Sequence, residues 1–305
     1  MKIPVIAVMG PTATGKTDLG IELALKLGGE IVSADSMQIY KEFNVLSAKA
    51  SPDQIKYVPH HFIDYISVTE NFSVANYVKA AHKCIKDINF CGKIPVIVGG
   101  TGLYIDSLLK NIKFEERNKL DNPEIEKLLE CDNQKLFEHL KKIDPETAEK
   151  LHINDTKRLK RAIEFFYTSG YPISEQVENS KKIESNYKAC KIGLNFKNRE
   201  TLYEGINARV DKMLENGLLD EVSKVSKMSL SKTAQGAIGY KEILEYIQGE
   251  CDLKTAVELL KQATRRYAKR QITWFKRDEE INWIYIDEYK CFTDIISESE
   301  RYIHF

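Results

Sequence analysis

One octapeptide constrains this chain more than any other feature. Gly10-Pro11-Thr12-Ala13-Thr14-Gly15-Lys16-Thr17 satisfies the pattern G-x-x-x-x-G-K-[ST] at every position. An apolar run, Ile3–Met9, precedes it, and a helical pattern over residues 17–27 follows. Strand, glycine-rich turn and helix in that order point backbone N–H groups at phosphate oxygens. The helix N-terminus adds partial positive charge, and Lys16 adds a full one. Thr17 can offer its hydroxyl to Mg2+. The loop therefore predicts a di- or triphosphate ligand. It leaves open whether the chemistry is phosphoryl transfer.

The rest of the chain is organised around that unit. Residues 30–33 and 94–98 read as further short strands, the latter ended by Gly99-Gly100, with a helix over 74–89 between them. Residues 192–196 read as a strand returning to the sheet, and 281–286 as a last short one. This alternation predicts an α/β fold, a P-loop NTPase-like parallel sheet flanked by helices. Across 113–189 strand signals fade. Leu128, Leu129, Leu136, Phe137 and Leu140 recur at helical spacing, with Pro123 and Pro145 as punctuation. This stretch reads as a helical insertion domain, leaving 1–112 and 190–305 as the core domain, a partition that suits 305 residues. Helices run over 199–276, broken near residues 236–239 and 249.

In a parallel sheet, residues just past the strand C-termini line the ligand crevice. Here these are Ser33-Ala34-Asp35-Ser36-Met37-Gln38 and Gly99-Gly100-Thr101-Gly102-Leu103-Tyr104. Asp35 and Thr101 should converge on the bound phosphate. Asp35 by position alone is a magnesium ligand, a general base or a cap. A Walker B strand, apolar residues ending in Asp, is not evident. Residues 94–98 end in Gly-Gly-Thr, and Ile284-Tyr285-Ile286-Asp287-Glu288 reads as an edge strand with a polar exit.

Lys and Arg number 45, as do Asp and Glu, so nucleic-acid binding would have to come from a local basic patch. Residues 261–277 supply one, with seven basic side chains and no acid. At about 100° per residue, Lys261, Arg265, Arg266, Lys269, Arg270, Lys276 and Arg277 cover one half of a helix. Tyr267, Ala268, Trp274 and Phe275 cover the other. Lys157, Arg158, Lys160 and Arg161 form a smaller cluster in the insertion. No apolar run approaches the roughly 18 residues of a membrane span. Ile3–Met9 is too short for a signal peptide and runs into the phosphate loop. The six cysteines form no CxxC pair, which predicts reduced thiols and a cytoplasmic protein. His60 and His61 lack metal-ligand partners and are expected to pack or hydrogen-bond.

These motifs, in this order, resemble the bacterial tRNA dimethylallyltransferase family over nearly the whole chain. The resemblance rests on GPTATGKT (10–17), SADSMQIY (33–40), PHHFID (59–64), VGGTGLY (98–104) and LHINDTKRLKRAIE (151–164). It continues through INARVDKML (206–214), AIGYKE (237–242) and TRRYAKRQITWFKR (264–277). The resemblance implies transfer of a dimethylallyl group from dimethylallyl diphosphate to the exocyclic amine of the adenosine 3′ of the anticodon. It implies that the loop, residues 10–17, holds the diphosphate with Arg209. It also implies that Asp35 is the general base and that Thr101 contacts the RNA near the reacting adenine. Asp35, Ser36, Met37 and Gln38 would touch tRNA, as would Thr264, Arg265, Arg266, Lys269, Arg270 and Gln271, with Arg158 and Arg161 from the insertion. Mg2+ on Thr17, the anticodon stem-loop as partner, no membrane association and a monomer complete the expectation. Leu46-Ser47-Ala48-Lys49 stands where the family often has G-T-A-K, and Gly205 where it often has Arg. An adenylate isopentenyltransferase acting on free AMP shares the loop and the Asp. A P-loop kinase or NTPase, and an RNA-binding ATPase module, are the readings from other classes.

Overall fold

The computed structural model describes residues 2–50, 52–112, 114 and 122–305. Its chain divides into two units, Met1–Leu109 with Asn186–Phe305, and Lys110–Ser185. The first unit begins with β1 (Ile3–Met9), α1 (Lys16–Leu27), β2 (Glu30–Ser33), α2 (Pro52–Tyr57), β3 (His60–His61), α3 (Val74–Phe90), β4 (Pro95–Gly99) and α4 (Gly102–Leu109). The second unit holds α5 (Pro123–Leu129), α6 (Asn133–Ile143), α7 (Pro145–Lys150), α8 (Thr156–Ser169) and α9 (Ile173–Lys181). The first unit resumes with β5 (Tyr187–Asn195), α10 (Arg199–Glu215), α11 (Leu218–Val225), α12 (Tyr240–Ile247), α13 (Leu253–Phe275), β6 (Asn282–Tyr285) and α14 (Phe292–Glu300).

The six strands pair in the order β3-β2-β4-β1-β5-β6, and every pairing is parallel. Such a sheet is covered on both faces, so its central strands read as continuous apolar runs. All five residues of β4 are buried. In β1, Ile6 and Val8 pack with Leu19 and Leu23 of α1 and Ile295 of α14. Val5, Ala7 and Met9, also buried, point to the opposite face by the period of two. Register fixes the crevice. Met9 lies level with Gly99 and Gly193, and Ser33 with Val98. The chain therefore leaves β1, β2, β4 and β5 at one edge of the sheet, where residues 10, 34, 100 and 196 begin their loops.

Three details depart from the expected elements. β3 was not anticipated, because two residues carry no periodicity. It is held by its neighbours instead: His61 Nε2 meets Glu30 Oε2 at 2.7 Å, and His60 Nδ1 meets the Val58 carbonyl at 2.7 Å. β5 begins at Tyr187 rather than at 192, pairing β1 over its full length from Ile3. Its first half hides in mixed composition, since Lys191 is buried and balanced by Asp278 at 2.8 Å and Glu280 at 2.6 Å. The helices after β5 also break at Asn216-Gly217, where Gly217 takes a φ of 90°. The expected start of the insertion, residue 113, lies outside the described residues. Asp287, at the polar exit of the edge strand β6, accepts from the N–H groups of Lys197 and Asn198, each at 2.8 Å. Among the described residues no helix is long and apolar enough to cross a membrane.

The second unit closes around Ile125, Leu129, Leu136, Leu140, Leu159 and Ile163. Pro123 and Pro145 open α5 and α7 behind the capping side chains of Asn122 and Asp144, where a missing N–H costs nothing. The fully buried Asp144 accepts from Thr147 N at 3.0 Å and Ser174 N at 3.1 Å. Burial alone would raise its pKa, but these bonds outweigh it and hold the carboxyl below its usual range. A depressed native pKa contributes stability above the unfolded carboxylate range, lost as pH falls through the native value. Asp144→Ala should destabilise this unit by about 1–3 kcal/mol. Hydrogen exchange should show protection falling in α7 and α9 while β1, β4 and β5 keep theirs.

Candidate active site

The phosphate loop is built by close approach. Gly10 leaves β1 at a φ of 146°, and a Cβ there would stand 2.2 Å from the Leu194 carbonyl oxygen. No other residue fits. Ala13 and Gly15 adopt φ values of 64° and 72°. The buried Thr14 hydroxyl donates to the Pro11 carbonyl at 2.9 Å, and Lys16 Nζ donates to the same oxygen at 2.5 Å. Gly15 stands at the N-cap of α1 and brings no side chain to it, so the first-turn N–H groups stay available to an anion.

Asp35 follows β2, and its Oδ1 accepts from Met37 N at 2.8 Å and Gln38 N at 3.3 Å. One oxygen is thus committed to a tight turn, with no helix behind it for Asp35 to cap, while the other takes no part in that turn. Thr101, past β4, accepts from Ser36 N at 3.0 Å through its hydroxyl, which also reaches Ser36 Oγ at 3.3 Å. Its own N–H donates to the Ala34 carbonyl at 3.2 Å. Gly99 permits this lacing, since a Cβ there would fall 2.2 Å from that carbonyl oxygen.

α13 closes the crevice from above. The Gln271 carboxamide is buried, its Oε1 accepting from Thr12 N at 3.0 Å and its Nε2 donating to the Gly100 carbonyl at 2.9 Å. One turn earlier, the Tyr267 hydroxyl lies close to the side chains of Thr101 and Gln271. Burial, then the nearby charge of Asp35, pushes this phenol up to about 12, so it stays protonated. One turn later, Trp274 lies against Gly102 and donates from Nε1 to Asp106 Oδ2 at 2.8 Å. Arg209 enters from α10, its guanidinium 3.5 Å from the Ser47 carbonyl oxygen.

Lys16, Arg209 and Asp35 form one electrostatic group. Burial, then the charge of Arg209, lowers the Lys16 pKa to about 7, against the opposing pull of Asp35. Burial likewise lowers that of Arg209, again with Asp35 opposing. Two cations crowded this way are poised for an anion that neither Asp35 nor solvent supplies.

The structure thus brings Asp35, Thr101, Lys16, Arg209 and residues 10–17 together, with Ser36, Met37 and Gln38 partly exposed beside them. The expected basic face of α13 is narrower than its sequence implies. Lys261 is bound to Asp211 at 2.7 Å, and Arg265 to Asn207 Oδ1 at 2.6 Å. Thr264 and Gln271 turn inward with Ala256, Leu260, Ala268 and Phe275, and the Thr264 hydroxyl donates to the Leu260 carbonyl. Both fall on the buried stripe of the helix. Arg266, Lys269, Arg270, Lys276 and Arg277 remain exposed. Arg158 and Arg161 lie on the exposed side of α8 in the second unit. By sequence Tyr267 falls on the half of the helix opposite the basic side chains, with no site role indicated. Its signal was its spacing of four from Gln271.

Comparison with known proteins agrees with this geometry. A sequence profile described as IPP transferase matches residues 38–278. The chain belongs to the IPP transferase family. A tRNA dimethylallyltransferase from Caldanaerobacter subterraneus subsp. tengcongensis is 45% identical over 309 residues, covering 99% of this chain and 98% of the relative. One from Acetivibrio thermocellus is 44% identical, covering 98% and 97%. These full-length matches take in the phosphate loop and Asp35. Among solved structures, the tRNA isopentenylpyrophosphate transferase of Bacillus halodurans is 36% identical with a TM-score of 0.74, covering 99% of this chain and 95% of that one. A eukaryotic dimethylallyltransferase acting on tRNA is 29% identical with a TM-score of 0.84, covering 98% and 79%.

The donor set suits Mg2+ only in company with a ligand. Among the described residues no cluster of three His, Cys, Asp or Glu side chains could cage a metal. A hydroxyl at the start of α1, Thr17, is a hard oxygen donor of the kind that shares Mg2+ with phosphate oxygens.

Lys16 would make anion binding at the loop proton-linked. An anion on the loop favours the ammonium form, so between about pH 7 and the ordinary Lys range binding should take up protons. Calorimetry with inorganic diphosphate at pH 8 in buffers of differing ionisation enthalpy should show uptake of a sizeable fraction of one proton. At pH 6, where Lys16 is already charged, its contribution should vanish. Lys16→Met should abolish the pH 8 uptake and weaken binding.

Proposed function

We propose that this chain transfers the dimethylallyl group of dimethylallyl diphosphate to the exocyclic amine of the adenosine 3′ of the anticodon, releasing diphosphate. The observation that carries the proposal is the placement of Asp35. It is fixed by its own turn beside Thr101, within electrostatic reach of both Lys16 and Arg209. A base and paired cations in one crevice suit displacement of diphosphate by a weakly nucleophilic amine.

The adenine amine is delocalised into its ring and far too weak an acid to be deprotonated beforehand by a carboxylate. As the C–N bond forms, the nitrogen becomes cationic and acidic, and Asp35 takes its proton. The C–O bond to diphosphate breaks on the other side of the allylic carbon. Lys16, Arg209 and the loop N–H groups hold the charge growing on the departing oxygens. Bound Mg2+, on Thr17 and the diphosphate, would add neutralising charge there. The Tyr267 phenol and the Gln271 carboxamide keep Thr101 and the loop in place as α13 covers the crevice, and so keep water from the allylic cation. This chemistry has no use for a carboxylate that activates water. The Asp in the Walker B-like position, Asp287, spends both oxygens on the N–H groups of Lys197 and Asn198, which disfavours the kinase and NTPase readings.

The exposed Arg266, Lys269 and Arg270 on α13 would meet RNA phosphates. This face of α13 favours RNA over free AMP, and the chain would act on tRNA as a monomer in the cytoplasm.

Asp35→Asn keeps an oxygen for the turn but removes the base, so single-turnover transfer should slow by roughly 10²–10⁴-fold. Its tRNA dissociation constant should change little. Near-normal transfer would remove Asp35 from the base role. Replacing Lys269 and Arg270 together by Ala should weaken tRNA binding and flatten its salt dependence by about 0.7–0.9 in log–log slope per lost phosphate contact. An unchanged slope would place the RNA elsewhere.

A further inference from the structure

Glu221 lies in no motif that the proposed reaction uses, yet its carboxylate is fully engaged. It projects from α11 and accepts from three consecutive backbone N–H groups. Oε2 takes those of Asn44 at 2.9 Å and Val45 at 2.8 Å, and Oε1 takes that of Leu46 at 2.8 Å. Converging N–H groups around a carboxylate form charge-assisted bonds, roughly twice as strong as neutral ones. The next residue along, Ser47, offers its carbonyl oxygen to the Arg209 guanidinium.

The surrounding loop is held just as firmly at its other end. Lys49 Nζ donates to the Tyr40 carbonyl at 2.6 Å, to Asn44 Oδ1 at 3.0 Å and to Asp64 Oδ1 at 2.5 Å. Ser47 Oγ donates to the Phe43 carbonyl, and Ala48 takes a left-handed φ of 42°. That strained residue directly follows the carbonyl that meets Arg209. The loop and α10 also share a core, where Leu46 packs with Val210, Met213, Leu218 and Val222.

We propose that Glu221 is a positioning residue for diphosphate binding: by clamping the N–H groups of Asn44, Val45 and Leu46 it places the Ser47 carbonyl that orients Arg209 in the crevice. The chain of contacts runs from α11 through the loop to α10, and it ends on a cation that the diphosphate must meet. Without the clamp the loop loses its anchor on α11, and Arg209 loses the acceptor that aims it. The proposal rests on Arg209 as a diphosphate ligand, and its test separates the two.

The experiment is a double-mutant cycle read by calorimetry with inorganic diphosphate, a probe that needs no prenyl chemistry. Glu221→Ala should weaken diphosphate binding roughly 5- to 10-fold, the scale of one or two lost hydrogen bonds, while the tRNA dissociation constant stays within twofold. In an Arg209→Ala background the same substitution should change diphosphate affinity by less than twofold, because residues acting through one another are not additive. Glu221→Gln keeps one carbonyl acceptor and should fall between wild type and Ala. It carries the same cycle if the Ala variant does not fold. If either Glu221 variant weakens diphosphate equally with and without Arg209, or does not weaken it while Arg209→Ala does, Glu221 merely packs the loop and the inference is overturned. If Arg209→Ala itself leaves diphosphate affinity intact, the diphosphate role of Arg209 falls first, and the clamp's purpose falls with it.

Discussion

A single carboxamide, that of Gln271, sets the dimensions of the crevice. It joins the first residues of the phosphate loop, through Thr12 N, to the exit of β4, through the Gly100 carbonyl. It does so from α13, a helix that reaches both through side chains alone. The two loops leave adjacent strands at the same level, as Met9 pairs with Gly99, but nothing in the sheet fixes how far apart they travel afterwards. The amide does, because its oxygen and nitrogen face a donor and an acceptor that cannot exchange roles. A buried amide leaves either partner unsatisfied if it moves. The absence of a Cβ at Gly100 is part of the same contact, since one would lie 2.2 Å from Gln271 Nε2.

On that frame the charges are arranged in opposition. Lys16 and Arg209 crowd together, and Asp35, tied into its turn, lies within electrostatic reach of both. The cations are held away from bulk water, which lowers the Lys16 pKa to about 7. Such a site is strained electrostatically until a polyanion arrives, and this is preorganisation for charge that develops on a leaving diphosphate. The same helix that closes the site carries Arg266, Lys269 and Arg270 on its outer surface. One element thus braces the phosphate loop from its inner side and presents cations on its outer one.

Much of this was legible in the sequence, and the exceptions have physical reasons. β1, β2 and the phosphate loop declare themselves because local pattern and tertiary role coincide: an apolar run, then glycines that the backbone requires. Asp35 and Thr101 follow from the rule that parallel strands open at one edge. β3 escaped because its two histidines are held by Glu30 and the Val58 carbonyl, partners that no period encodes. In α13 the charge count was right, but the partners on α10 were invisible. Asp211 and Asn207 claim Lys261 and Arg265, so the outward face is smaller than its composition. Thr264 and Gln271 look like surface residues by type and are interior by phase. Glu221 gave no signal at all, because its three partners are backbone groups more than a hundred residues away.

The account stands or falls on what leaves the crevice and what receives the prenyl group. Dimethylallyl diphosphate labelled in its carbon chain, incubated with the protein, Mg2+ and either an unmodified anticodon stem-loop or AMP, tests this most directly. The label should enter the stem-loop at the adenosine 3′ of the anticodon, with one diphosphate released per transfer, no requirement for ATP, and AMP left unlabelled. Label in AMP but not in the RNA, or ATP hydrolysis without any transfer, would contradict the account.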